Sequence, residues 1–259
     1  MNVMDEICAL RRADAEDRAK VLPLSALERQ IAALPPALDF SAAFRTDGSP
    51  RIIAELKKAS PSKGLIRADF QPVELAAELV AAGAAALSVL CEPHRFLGDE
   101  AYIRRIRAAT PVPILYKDFV TTPYQVFAAR AAGADAVLLI VAALPPDALV
   151  ALLACARSCG LQALVETHTE EEMAIAVGVG ARIIGVNCRD LKTFRTDPAL
   201  TVGLIRNLPS GVVKIAESGI RTSLDIASLQ DAGADGFLVG ETLMRADHPG
   251  HALADLVRK

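Results

Sequence analysis

Ala132-Gly133-Ala134-Asp135-Ala136-Val137 decides the fold, because the chain repeats it. Ala82-Gly83-Ala84-Ala85-Ala86-Leu87 and Ala232-Gly233-Ala234-Asp235-Gly236-Phe237 follow the same pattern, and Val179-Gly180-Ala181-Arg182-Ile183-Ile184 is a looser copy. Glycine readily takes the left-handed conformation that ends a helix, and in each copy an apolar, β-rich run begins at once afterwards. Each copy therefore reads as a helix that stops at glycine and feeds straight into a buried strand. The copies recur roughly every fifty residues, close to two such units. Short helix-to-strand connections repeated in this way mean a parallel sheet with crossover helices.

Working outward, strands are expected near 52–56, 86–90, 114–117, 136–140, 162–165, 183–186, 213–216 and 236–239. Helices fall between them, for example at 72–82, 99–109, 123–132, 146–159 and 169–177. Pro72 and Pro146 stand where a first helical turn tolerates proline. About eight βα units match an α/β fold of the (β/α)8 TIM-barrel type. An open doubly wound sheet is the rival, but no glycine-rich dinucleotide turn follows the first strand. Residues 1–259 read as a single barrel domain, with 1–50 as a helical extension packed on it. In that extension Ser25-Ala26-Leu27-Glu28 has capping-box spacing, and Leu27, Ile31 and Leu34 form one apolar stripe.

Composition narrows the class. A hydrophobic fraction of 52% with 23% charged residues belongs to a chain that buries a large core. The net charge of −3 argues against a nucleic-acid surface, so an anionic ligand must be held by local groups. The five cysteines are odd in number and lack zinc or Cys-x-x-Cys spacing. Cys155 and Cys159 share a helix face and read as small buried hydrophobes. His94, His168, His248 and His251 form no metal spacing, and no metal is assigned. Residues 1–12 mix acids and bases without a long apolar core, so they do not read as a signal peptide. The longest uncharged apolar run, 136–144, is too short to span a bilayer. A cytoplasmic location without a membrane partner is the expectation.

The chemistry lies where the apolar runs stop. Glu55 and Lys57 follow the first strand, Lys117 ends the third, Glu166 the fifth, Asn187 the sixth and Glu217 the seventh. Strands buried on both faces have no reason to end in such groups unless those ends open onto solvent or a ligand. In a parallel barrel all C-terminal strand ends open on one face, so these residues converge on one mouth. Glu55 and Lys57 share a side of an extended segment. Ser60-Pro61-Ser62-Lys63-Gly64 then forms a loop rich in donors. A lysine in the place of Lys117 suits a general acid, a Schiff-base nucleophile or an ion-pair partner. Ser218-Gly219 and Gly240-Glu241 follow the last two strands, where backbone N–H groups of such barrels approach phosphate. Glu241 suits that site only if its backbone N–H, not its carboxylate, faces the ligand. Each element also has a plain structural reading: a solvated lysine-rich turn, a Lys117–Glu166 ion pair, tight βα turns.

IAELKKASPSKG (53–64), ILYKDF (114–119), GVNCRDLKTF (185–194), AESGI (216–220) and LVGETLMR (238–245) together carry a resemblance. The chain resembles the indole-3-glycerol-phosphate synthases of tryptophan biosynthesis, with matching stretches in order along nearly the whole barrel. The resemblance implies a cofactor-free lyase acting on a small phosphosugar-anthranilate substrate, 1-(2-carboxyphenylamino)-1-deoxyribulose 5-phosphate. It implies Lys117 as general acid for ring closure, with Glu55, Lys57 and Glu166 as candidates for the acid–base pair that removes water. Asn187 and Glu217 would hold sugar hydroxyls. Lys57, Ser60, Gly219 and Gly240 would bind the phosphate, with Pro61, Ser218 and Glu241 also among the substrate-binding residues. Phe96, Phe119, Leu191 and Leu238 would wall the aromatic ring, with Arg189 near its carboxylate. A monomer or weak homo-oligomer is expected, with a pathway enzyme as a possible partner.

The chain departs from the family pattern at Cys91-Glu92, where Thr-Asp is usual, in the unusual segment 93–98, and at Lys58, where arginine is frequent. A Schiff-base aldolase or a phosphoribosyl-anthranilate isomerase is the enzymatic alternative, although the isomerase would want a thiol and an aspartate at strand ends. A phosphosugar-binding protein without turnover is the non-enzymatic one.

Overall fold

The left-handed glycines sit where the repeat puts them, with φ of 97° at Gly133 and 100° at Gly233. A computed structural model describes residues 3–45, 48–187 and 198–258. Eight parallel strands form a closed barrel: β1 (Ile52–Leu56), β2 (Ala86–Leu90), β3 (Ile114–Lys117), β4 (Ala136–Ile140), β5 (Gln162–Thr167), β6 (Ile183–Asn187), β7 (Val213–Glu217) and β8 (Gly236–Val239). β8 closes on β1 with Leu238 opposite Ile53. The chain therefore has the (β/α)8 TIM-barrel fold.

The aspartates of the repeat have a definite task. Asp135 Oδ2 accepts from the Ile114 N–H at 2.8 Å, and Asp235 Oδ2 accepts from the Lys214 N–H at 2.8 Å. Each of these two copies thus satisfies a donor at the start of the neighbouring strand. Asp135 also accepts from the Leu38 N–H at 2.7 Å, which ties the N-terminal segment to the barrel floor.

Strand residues alternate between two cores. Ile52, Ala54, Leu87, Val89, Ile114, Val137 and Leu139 face the helices, whereas Ile53, Leu115, Leu138, Leu164, Ile183 and Ile215 fill the interior. Phe40 and Phe44, ring centroids 5.2 Å apart, join the interior core. Gly236 leaves room for the Phe44 ring, which a Cβ would overlap.

Helices α1 (Val3–Val21) and α2 (Leu24–Ala32) precede the barrel, and α3 (Pro72–Ala81), α4 (Ala101–Arg107), α5 (Pro123–Ala132), α6 (Pro146–Ser158), α7 (Glu170–Gly178), α8 (Pro198–Asn207), α9 (Ser223–Asp231), α10 (Glu241–Arg245) and α11 (Pro249–Val257) follow in order. Leu27 of α2 packs on Ala128 and Ala131 of α5, with Ile31 alongside. The capping box expected at Ser25 is not formed. Pro23 caps the helix instead, with φ −67° and ψ 156°, and no side chain contributes. The proline ring presets the entry geometry and its carbonyl accepts from the Ala26 N–H at 2.8 Å, so the helix starts before Ser25 can cap it.

Candidate active site

Strand parity decides which side chains reach the mouth. Ile53, Leu115, Leu164 and Ile215 point inward, so Glu55, Lys117, Glu166 and Glu217, two residues on, point inward one layer higher. Asn187 follows Gly185 in the same way on β6. These groups line one cavity of about 440 Å³ at the C-terminal end of the barrel, together with Lys57 and the loops after β1, β7 and β8.

Lys117 is the hub. Its Nζ lies 3.1 Å from Glu166 Oε2 and 3.7 Å from Glu217 Oε2. Asn187 Nδ2 donates to Glu166 Oε1 at 3.1 Å. Lys57 is ion-paired with Glu55. Burial disfavours the Lys117 ammonium, but Glu166, Glu217 and Glu55 outweigh it and hold the group well above the ordinary lysine range. For Glu166, burial acts upward, and Lys117, His168 and Asn187 overcome it to leave the carboxylate well below its usual range. Glu55 is likewise lowered, since Lys57 and Lys117 outweigh its desolvation. Glu217 goes the other way: desolvation and then the Glu166 charge push it up to about 8, with Lys117 opposing. The mouth thus holds Glu166 and Glu55 toward the carboxylate form and Lys117 toward the ammonium, while Glu217 is pushed toward its protonated form.

Two glycines give the carboxylates their places. A Cβ at Gly185 would overlap Glu217 Oε1, and a Cβ at Gly240 would overlap Glu55 Oε1. The second explains Gly240 by its neighbour on β1, beyond any need for close approach to phosphate.

The remaining expected residues surround this layer. Phe96 and Phe119 stand on one wall with ring centroids 6.1 Å apart, and Leu238 lies below. Phe96 is positioned by Glu92, whose buried carboxylate accepts from the N–H groups of His94, Arg95 and Phe96 at 2.7–2.8 Å. The departure at Cys91-Glu92 is therefore a loop anchor. Ser218 and Gly219 are both left-handed, with φ of 62° and 73°, which makes a concave turn at the rim. Ser60, Pro61 and Gly240 complete that side of the cavity. The Glu241 carboxylate is held by Arg245 at 3.1 Å and Lys63 at 3.5 Å.

All expected site residues among the described ones line this cavity; Arg189 and Leu191 lie outside the described residues. Sequence reasoning missed Lys63, Arg221 and Arg245 at the rim, Asp118 in the wall, and His168, which contacts Glu166 from behind. Lys63 and Arg245 lie within the quoted motifs, Lys63 in the donor-rich loop, but neither was given a role in the site. Asp118 is held by Arg11 of α1, through Nε at 2.9 Å and Nη2 at 2.6 Å. Among the described residues, no group of three or more His, Cys, Asp or Glu side chains is arranged to hold a metal, and no helix is long and apolar enough to cross a membrane.

Comparisons with known proteins agree with this geometry. The family profile described as "Indole-3-glycerol phosphate synthase" matches residues 4–256. A relative of that name from Rhodococcus opacus is 48% identical over 257 residues, covering 99% of this chain and 95% of its own length. Another from Acidithiobacillus ferrooxidans is 44% identical over 258 residues, covering 98% of each. Among solved structures, 3-hexulose-6-phosphate synthase from Salmonella typhimurium superposes with a TM-score of 0.65 at 14% identity, covering 80% of this chain and 96% of that one. That level of identity speaks for the shared fold alone. Full-length identity near one half, on a barrel whose motif residues converge in one cavity, places the chain in the indole-3-glycerol phosphate synthase family.

Proposed function

We propose that this chain is a carbon–carbon lyase of the carboxy-lyase class. It converts 1-(2-carboxyphenylamino)-1-deoxyribulose 5-phosphate to indole-3-glycerol phosphate, CO₂ and water. The observation that carries the reading is the Lys117 ammonium, bracketed by Glu166 and Glu217 in the inner layer of the mouth. The carboxyl-bearing aryl carbon attacks the ribulose carbonyl carbon, and Lys117 gives its proton to the carbonyl oxygen as the C–C bond forms. The bond to the carboxyl group then breaks, CO₂ departs, and its electron pair restores the aromatic ring. Water leaves when the new hydroxyl accepts a proton and the adjoining ring carbon loses one. The Glu55–Lys57 pair supplies a base and an acid in contact for that step. These steps balance with no external oxidant or reductant.

Glu166, held far on the carboxylate side, fixes Lys117 as an ammonium. Glu217, pushed toward its protonated form, and Asn187 hold sugar oxygens. Phosphate lies against the backbone N–H groups that follow Ser218 and Gly240, with Lys57 and Ser60 as side-chain partners. The Glu241 carboxylate, engaged by two cations, is turned to account rather than repelling it. Phe96, Phe119 and Leu238 enclose the aromatic ring. We place the enzyme in the cytoplasm as a monomer or weak homo-oligomer.

The chain contains no tryptophan, so indole fluorescence appears against a dark background when substrate is added. Wild-type protein should give that signal with release of CO₂. Lys117→Ala should lower kcat by about 10²–10⁴-fold with KM much less affected. Near-wild-type kcat in the variant, or a borohydride-trapped adduct on Lys117, would sink the general-acid assignment.

A further inference from the structure

His168 follows β5 directly and sits between two carboxylates. Its Nε2 lies 3.3 Å from Glu166 Oε1, and its Nδ1 lies 3.0 Å from Glu172 Oε2. Glu172 is itself fixed by the start of α7. The same Oε2 accepts from the His168 N–H at 2.7 Å, and the Glu172 N–H donates to the Thr169 hydroxyl at 3.2 Å. Glu172 therefore holds the ring by a hydrogen bond, whereas Nε2 meets Glu166 as a charge contact without hydrogen-bond alignment, and the ring is mostly buried, with 11% of the side chain exposed. Other Glu166 contacts come from Lys117 on Oε2, Asn187 on Oε1 and the neighbouring Glu217 carboxyl group.

We propose that His168 is a positioning residue for the reaction assigned above, its ring locking the Glu166 carboxylate in the orientation that faces Lys117. The inference rests on that assignment for its kinetic test but not for its structural one. Without the ring, Glu166 loses the cation on its Oε1 side, and the carboxylate is freer to rotate away from Lys117 about its last side-chain torsion. The charged groups that act on Glu166 are Lys117 from β3, Glu217 from β7 and Glu55 from β1, the last paired with Lys57; Glu172 of α7 faces His168 from the other side. Burial opposes the imidazolium, but Glu166 and Glu172 raise its pKa to about 10, so the ring is a cation across the working range. Removing that cation weakens the hold on the Glu166 charge, and the carboxylate then protonates at higher pH.

Two measurements test the clamp. In the first, the ring nitrogens of labelled histidine are titrated by NMR, with His168→Asn assigning the signal among the four histidines. His168 should stay doubly protonated well above neutrality, and Glu172→Gln should bring its titration down. A His168 titration near that of a free imidazole overturns the proposal, whatever the enzyme does. In the second, His168→Asn should lower kcat by about 10- to 100-fold with KM within about twofold, and move the acid limb of the kcat profile upward. Glu172→Gln should move it the same way by less, and it supplies the kinetic readout if His168→Asn does not fold. Unchanged kcat and an unmoved acid limb in folded variants would refute it. Failure of the wild-type chain to turn over the substrate would instead refute the assigned reaction and leave the NMR test standing.

Discussion

Glu217 shows how one buried carboxyl group ties stability to pH. Desolvation, and then the Glu166 charge, raise its pKa from the ordinary 4.5 to about 8. The folded chain holds this proton more tightly than the unfolded chain does. The associated stability is therefore complete below about pH 4.5 and is lost as pH rises through about 8. Glu217→Gln removes the titration while keeping the shape. Its urea midpoint relative to wild type should improve between about pH 5 and pH 8.5. A difference that does not vary with pH would show that Glu217 is an ordinary carboxylate. Gly240 belongs to the same scale. Because a Cβ there overlaps Glu55 Oε1, Gly240→Val should lower kcat by about tenfold or more as well as raise KM. A change in KM alone would make phosphate approach the only constraint at that residue.

At the level of elements, α1 is bound to the mouth by charge. Arg11 grips Asp118, Arg18 pairs with Glu100, Asp14 contacts His94 at 2.8 Å, and Arg95 pairs with Glu6. The Asp118 side chain is fully buried and also accepts from the Tyr116 hydroxyl at 3.0 Å. Arg11→Ala strands that carboxylate without its counter-charge and should cost about 3 kcal/mol in urea unfolding. A cost below about 1 kcal/mol would mean that Tyr116 and the Phe119 N–H suffice. Such links explain what could be read from the sequence and what could not. Strands and the mouth residues were legible, since apolar runs, their polar ends and the glycine repeat are local signals. The Arg11–Asp118 pair spans 107 positions and follows only from the docking of α1. The role of His168 was hidden although it stands two residues after Glu166, because its second partner depends on how α7 begins. Ser25 misled because a proline two residues earlier took over the cap.

For the whole molecule, the net charge is −3, yet Lys63, Arg221 and Arg245 border the cavity. Attraction of a substrate carrying both phosphate and carboxylate is thus local and open to solvent ions. Raising the ionic strength from about 0.02 to 0.3 M should lower kcat/KM roughly threefold or more, chiefly through KM. A salt-independent KM would leave recognition to the buried backbone donors alone. We also propose that the chain is one domain, since α1 and α2 lean on α5 and the segment around Leu38 is tied to Asp135. Limited proteolysis should then release no early fragment ending between 33 and 50. Finally, the notch at Gly185 sets an order on how descendants of this chain can diverge. A side chain at residue 185 either displaces the end of the Glu217 side chain or calls for a shorter residue at 217, because the two groups on neighbouring strands otherwise claim the same space. A lineage that gives up glycine at 185 therefore also gives up the present placement of the acid at 217, whereas 217 is free to change first.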